Sequence, residues 1–284
     1  MKGRAALRRW FAARRRAYPW RGARDPYRIL VSEVMLQQTQ ATRVVPSYRA
    51  FVRRFPTIRA LAAASRADVL RAWAGLGYNR RAVALHEAAG MVVERGGRLP
   101  SEPAALRWLP GIGPYTAGAV ASIAFDVPVP AVDTNGDRVV RRFVLGRDDA
   151  GRSEIHRAAA AWLDRRDPGG WNQAVMDLGR EVCRPVPMCQ VCPLARMCAF
   201  RQSGATTTPQ RPRRSRFEGS SRQLRGAVVG TLRDREQMTL RTLAMVTGRP
   251  QADVASVVRD MAVEGLVRAG PAALRGDARG RVRL

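Results

Sequence analysis

The sequence predicts an all-α protein with a small appended module, and three observations carry that expectation. First, apolar residues recur with helical period from the N-terminus to about residue 200, punctuated by glycine and proline, while alternating β-branched runs are few. Second, Cys183, Cys189, Cys192 and Cys198 crowd into the end of that stretch, spaced C-x5-C-x2-C-x5-C. Third, "QSGATTTPQRPRRSRFEGSSR", residues 202–222, is polar, basic and aperiodic, as a linker is. Beyond it "RGAVVGTLRD", "LRTLAMVTGR" and "PQADVASVVRDMAVEGLVRAG" read as three short helices and "GDARGRVRL" as a small hairpin. The expected plan is a helical body over 1–203, a linker over 204–222 and a winged-helix-like module over 223–284.

Within the body, "RILVSEVMLQQTQ" reads as a helix in which Glu33 has Ile29, Leu30, Leu36 and Gln37 as one-turn neighbours. Those surroundings are largely apolar, so desolvation is expected to raise the Glu33 pKa. Ser65, with Asp68 three residues on, is a capping-box candidate, and Gly75 and Gly77 end that helix before another starts near Asn79. Ser101 and Ser153 are further N-cap candidates.

"LPGIGPYTAGAV", Leu109–Val120, places a Gly-x-Gly turn between "AALRW" and a helix with Pro114 in its first turn. Free N–H groups at such a helix start attract anions, and Gly111 and Gly113 are expected to permit positive φ and close approach of a phosphate. Farther on, Asp133 in "VPVPAVDTNGDRVVRRF" opens another helix. The helix dipole and free N–H groups are expected to lower its pKa and keep it ionised. An aspartate there is also an ordinary N-cap. A neutral glutamic acid paired with an ionised aspartate suits cleavage of a glycosidic bond through an oxocarbenium-like transition state.

With 284 residues the chain can bury one large core or two modest ones. It is 46% hydrophobic, yet no window approaches the roughly 18 unbroken apolar residues of a membrane span. Arginines interrupt "MKGRAALRRWFAARRRAYPWR" too often for a signal-peptide core, so a cytoplasmic, nucleoid-associated protein without a membrane partner is expected. Lys+Arg outnumber Asp+Glu by 50 to 23, giving a net charge of +27. Lys2 is the only lysine, so a compositional preference for arginine contributes, but a field of this size still favours nucleic acid by counterion release. The four cysteines, in a reducing compartment, point to metal ligation, with zinc and a [4Fe-4S] cluster both compatible with the spacing.

"LPGIGPYTAGAV" followed by "VDTN" and the cysteine cluster resembles the helix-hairpin-helix DNA glycosylases of the endonuclease III superfamily. "YPWR", "DPYRILVSEVMLQQTQ", "WAGLGYNRRAVAL" and "WNQAVMDLG" are similar to its adenine-specific branch, over roughly residues 7–200. The resemblance implies a two-lobed fold, with lobes at about 22–130 and at 1–21 with 131–203, duplex DNA across a cleft, and a [4Fe-4S] cluster on the four cysteines. It implies removal of adenine mispaired with 8-oxoguanine or guanine by a monomeric enzyme. Glu33 would protonate the adenine and Asp133 would stabilise the sugar cation, supported by Asn135 and Tyr115. Arg16, Trp20, Arg21, Leu36 and Gln173 match the pocket for the extruded base. Gln38 and Tyr78 match residues inserted into the base stack, and Gln37, Thr39, Gly111, Gly113 and Thr116 match DNA-contacting positions. Extrusion is a physical requirement, because a protein acid cannot reach the bond inside a duplex.

Where relatives that also cut the strand use a lysine amine, this chain has Tyr115 and, elsewhere, only Lys2 in a terminus expected to be mobile, so a monofunctional glycosylase is expected. Departures from the pattern are a first cysteine interval of x5 in place of the usual x6, Gly136 where an apolar residue is usual, and a C-terminus too short and helical for the Nudix-like domain that reads 8-oxoguanine. The competing readings are a thymine or uracil glycosylase on the same scaffold, from which Glu33 separates it, and a non-catalytic DNA-binding module.

Overall fold

A computed structural model of the chain describes residues 2–14, 16–204 and 216–284. In chain order the helices are α1 (Arg4–Arg14), α2 (Pro26–Leu36), α3 (Ala41–Arg54), α4 (Ile58–Ala63), α5 (Arg66–Ala72), α6 (Arg80–Glu94), α7 (Pro103–Leu106) and α8 (Pro114–Phe125). There follow α9 (Thr134–Val139), α10 (Arg152–Trp162), α11 (Pro168–Glu181), α12 (Ala199–Gln202), α13 (Ser221–Arg233), α14 (Leu240–Thr247), α15 (Gln251–Val263) and α16 (Pro271–Leu274). Strands are short: β1 (Met238–Thr239), β2 (Arg268–Ala269) and β3 (Arg281–Arg283). The expectation of a helical body holds. No helix among the described residues is long and apolar enough to cross a membrane.

The chain divides into two compact units, Met1–Val34 with Leu99–Arg211 and Met35–Arg98 with Pro212–Leu284. This differs from the expected lobes for a physical reason. Helix α8 packs on α11, which draws the hairpin into the first unit, and the C-terminal module bonds to α5 within the second.

In the first unit the core gathers Leu7, Val139, Phe143, Ile155, Trp162, Trp171 and Leu178. Trp162 is its hub, 4.8 Å from the Phe143 ring and edge-on to Trp171 at 4.9 Å. The N-terminus, expected to be mobile, is tied to this core: the Trp162 indole donates to the Lys2 carbonyl (3.2 Å) and Leu7 is fully buried. Ser101 and Ser153 are not caps. Pro103 at the first helical position makes Glu102 the N-cap of α7, and Gly151 precedes α10, leaving the Ser153 hydroxyl to accept from Arg157 (2.9 Å). After α9 the chain continues as one π-helical turn, Val140–Leu145, which turns the buried Arg142 onto the Arg184 and Pro185 carbonyls (2.7 and 3.2 Å). Such turns re-aim side chains and often occur at functional sites.

In the second unit Ser65 caps α5 through Asp68 N–H (3.0 Å), but its hydroxyl also donates to the Asp68 carboxylate (2.6 Å), so the reciprocal half of a capping box is replaced. Gly75 and Gly77, both at positive φ, carry the chain to α6 as expected. The linker expected at 204–222 lies mostly outside the described residues, and α13 starts within it, capped by Ser220. The tail is no separate hairpin. β3 takes the centre of a three-stranded antiparallel sheet, order β1-β3-β2, with Met238 opposite Val282 and Arg268 opposite Arg283. Three helices under this sheet bury Leu224, Val228, Leu240, Val254, Val258 and Val282. The module is held to the rest of its unit by Arg71 on the Arg233 carbonyl (3.0 Å), Arg233 on Leu70 O and Asn79 Oδ1 (both 3.2 Å), and Arg66 on the Gly265 carbonyl (2.9 Å).

Candidate active site

Helix α2 is buried nearly all round from Ile29 to Met35, which is why Glu33 has no route to water along its own helix. Burial pushes the Glu33 carboxyl up to about 7, with the nearby Asp133 charge adding to the rise. Tyr115, in the first turn of α8, opposes it by donating its hydroxyl to Glu33 Oε2 at 2.7 Å, and Arg21 opposes it by charge. A protonated Glu33 is therefore present near neutrality, with Oε2 occupied and Oε1 left to carry the proton. Met176 Sδ lies 3.2 Å from the Tyr115 hydroxyl. Burial, followed by the Glu33 charge, holds the tyrosine well above the ordinary phenol range. Replacing Tyr115 with phenylalanine removes a bond to the ionised form, so the alkaline limb of any Glu33-dependent reaction should move to higher pH, read in a pH–rate profile of the variant.

Asp133 stands as the N-cap of α9, as expected. Its Oδ1 accepts from Asn135 N–H (3.0 Å) and Gly136 N–H (2.6 Å), and its Oδ2 from Asn135 Nδ2 (2.9 Å). The expected lowering of its pKa is corrected: burial outweighs these donors and Arg138, and the net shift is upward. The three donors nevertheless favour the carboxylate form over the acid. The Gly136 amide makes the shortest of the three bonds.

The loop leading to Asp133 is fixed by Asn172 of α11, unremarked in the sequence. Its Oδ1 accepts Ala131 N–H (3.1 Å), and its Nδ2 donates to the Val129 carbonyl (3.0 Å) and Ser122 Oγ (2.9 Å). Gly118 permits the approach, since a Cβ there would lie 2.7 Å from the Pro130 oxygen. Arg138 is a second missed residue. It bonds Asn135 Oδ1 (2.9 Å), the Gly179 carbonyl (2.7 Å) and the Cys183 carbonyl (2.5 Å), joining the Asp133 turn to the first cysteine. Apart from the Arg138–Asn135 bond, both work through partners more than 35 residues away, which no local pattern announces.

Of the residues matched to a base pocket, Arg21 is bound by both oxygens of the missed Asp177 (2.6 and 2.8 Å) and lies over the Phe11 ring at 5.3 Å. Trp20 is buried and stacks on Tyr18 at 5.1 Å. Arg16 reaches Glu181 (3.2 Å), and Gln173 is half-buried one turn before Met176 and Asp177 on α11. Leu36 belongs to the second unit, with Gln37, Gln38, Thr39 and Tyr78.

There Arg81 ties two turns together. Its guanidinium donates to the Met35 (3.0 Å), Leu76 and Gly77 carbonyls (both 3.3 Å) and to Thr39 Oγ1 (3.2 Å), and lies 5.4 Å from the Tyr78 ring centroid. Burial lowers its pKa to about 10. The two turns carry Gln38 (φ 54°) and the exposed Tyr78 (φ 46°), a left-handed conformation that non-glycine residues hold only under surrounding constraint.

At the hairpin Gly111 has φ 74°, but Gly113 is extended (φ −84°), correcting the expectation for the second glycine. A Cβ at Gly113 would meet no protein atom within 4 Å. Neither backbone strain nor internal packing demands glycine there. Thr116 is buried, and the first intrahelical bond of α8 runs from Ala117 N–H to the Gly113 carbonyl (2.9 Å). Gly113→Ser, a good N-cap, should therefore leave the melting temperature near wild type while weakening duplex binding about tenfold, measured by anisotropy.

The four cysteines line one cavity of about 400 Å³, with Arg142, Met188 and Phe200 on its walls. Burial raises the Cys192 thiol to about 11, so a bound cation is what would hold it as thiolate. Among the described residues no three metal-binding side chains converge tightly enough for a single ion. Four cysteine thiolates around a cavity are a donor set that fits an iron–sulfur cluster and also suits zinc.

Residues 31–165 match the HhH-GPD superfamily of base excision DNA repair proteins. The chain is 42% identical over 270 residues to an adenine DNA glycosylase of Mycobacterium tuberculosis, covering 91% of this chain and 86% of that one. It is 43% identical over 230 residues to an adenine DNA glycosylase of Mycolicibacterium smegmatis, covering 79% and 78%. A solved thermostable thymine-DNA glycosylase superposes with a TM-score of 0.66 at 28% identity, over 70% of this chain and 94% of that one.

Proposed function

The chain belongs to the adenine DNA glycosylases of the HhH-GPD superfamily, and from that premise we propose that it hydrolyses the N-glycosidic bond of adenine mispaired with 8-oxoguanine or guanine in duplex DNA. The observation that carries the chemistry is Glu33, buried, near neutral pKa and bonded to Tyr115. Its Oε1 proton passes to the adenine as the bond to the sugar breaks, turning the base into a neutral leaving group. The Asp133 carboxylate, oriented by Asn135, stabilises the cationic sugar until water adds to it. Arg16, Trp20, Arg21, Leu36 and Gln173 receive the extruded base. Gln37, Gln38, Thr39 and Tyr78 fill and border the gap in the stack, and Gly111 and Gly113 hold a phosphate at the start of α8, with the buried Thr116 supporting that turn from within. Buried Glu33 favours this reading over action on thymine, since a pyrimidine offers no purine ring to protonate.

Cys183, Cys189, Cys192 and Cys198 would hold a [4Fe-4S] cluster, which when bound ties the 183–198 loop by iron–thiolate bonds. Arg138 transmits the position of that loop to Asn135. The enzyme acts as a monomer in the cytoplasm, on the nucleoid, and leaves the strand uncut. Duplexes bearing A opposite 8-oxoguanine, A opposite G, T opposite G and U opposite G, each resolved with and without alkali, test the reading. Cleavage at adenine only after alkali supports it; cleavage at T or U, or without alkali, contradicts it.

A further inference from the structure

We propose that the outer face of the C-terminal sheet is a separate anchorage for duplex DNA, gripping backbone phosphates through Arg268, Arg281 and Arg283. Register places the three together. Arg268 lies directly opposite Arg283, and Arg281 is two residues along β3, so all three side chains leave the same side while Val282, Met238 and Ala269 turn inward. All three are exposed. The connection between β2 and β3 adds exposed Arg275 and Arg279, and Arg241, whose amide bonds the Ala278 carbonyl (2.9 Å), flanks it. None of these six side chains has an ion pair or hydrogen bond among the described residues.

Three of the module's other arginines are engaged, while Arg235 and Arg259 are exposed singly, outside the sheet. Arg225 is paired with Glu264, Arg249 bonds the Gly219 carbonyl (3.0 Å) and Asp253, and Arg233 bonds Leu70 and Asn79. Those hold structure, whereas the sheet's arginines hold nothing internal. The one carboxylate in the connection, Asp277, is engaged by Arg279 N–H (2.9 Å). Exposed Asp253 and Asp260 on α15 disfavour that helix as the phosphate-facing element. The Arg233–Asn79 bond fixes the module to the turn that carries Tyr78, so the sheet moves with residues assigned to DNA. The inference rests on duplex DNA being the enzyme's polyanion.

The test uses the full chain with R268Q/R281Q/R283Q, binding an undamaged duplex by anisotropy between 50 and 200 mM salt. The log–log salt slope should fall by about 2.7, so that wild type loses about 40-fold more affinity than the variant across that range. Arg259→Gln on α15 should leave the slope unchanged, and single Arg283→Gln should lower it by about 1, which keeps the test alive if the triple variant folds poorly. An unchanged slope in a variant that melts like wild type overturns the proposal. Adenine excision is assayed separately at saturating enzyme, where the variant should match wild type; absence of excision in wild type would defeat the functional reading without touching the sheet.

Discussion

Replacing Glu33 with glutamine is expected to reduce single-turnover adenine excision by about 10²–10⁴-fold while duplex affinity stays near wild type. Glutamine keeps the shape and can still accept from the Tyr115 hydroxyl, but it has no acid proton to give. The same variant should be more stable at alkaline pH. The Glu33 carboxyl is raised from 4.5 to about 7 on folding, so the folded protein binds this proton more tightly than the unfolded chain. Stability linked to it is fully present below pH 4.5 and is lost as pH rises through about 7. Above that point the charged, buried carboxylate costs on the order of 3 kcal/mol, which Glu33→Gln relieves. Denaturant melts at pH 4.5 and 8.5 would show it: a similar difference at both values would mean that packing, not ionisation, sets the effect.

Asp133→Asn is the second large expectation, a loss of about 10²–10³-fold in excision with little change in folding. Asparagine is as good an N-cap as aspartate and can accept the Asn135 and Gly136 amides through its oxygen. It removes the negative charge facing the sugar cation. Its amide would also confront Asn135 Nδ2, whose own oxygen is already engaged by Arg138, so a cost of about 1 kcal/mol in stability is expected from that lost bond. Excision at a tenth of the wild-type rate or better would remove Asp133 from the proposed electrostatic role.

How much of this was readable beforehand depended on whether the cause lay nearby in sequence. Glu33 announced its raised pKa because Ile29, Leu30 and Leu36 are on its own helix. The cysteines announced themselves by spacing, and the hairpin by its glycines. Asp133 misled, since its N–H donors are its immediate successors whereas the burial that outweighs them comes from the tertiary fold. Asn172, Arg138 and Asp177 were silent because each has at least one decisive partner on a different element. Arg81 was silent for the related reason that most of its bonds go to carbonyls, which every residue carries. The sheet order failed too, because "GRVRL" pairs with both a strand next to it and one more than 40 residues back, and a tail alone reads as a hairpin.

The central claim is that a protonated Glu33 delivers the proton, and the pH dependence of single-turnover excision tests it most directly. With DNA saturated by enzyme, the rate should be level below about pH 7 and fall tenfold per unit above it, as the protonated fraction does. A rate that stays level to pH 9, or that has already fallen away above pH 5 as an ordinary carboxylic acid would dictate, would contradict the account.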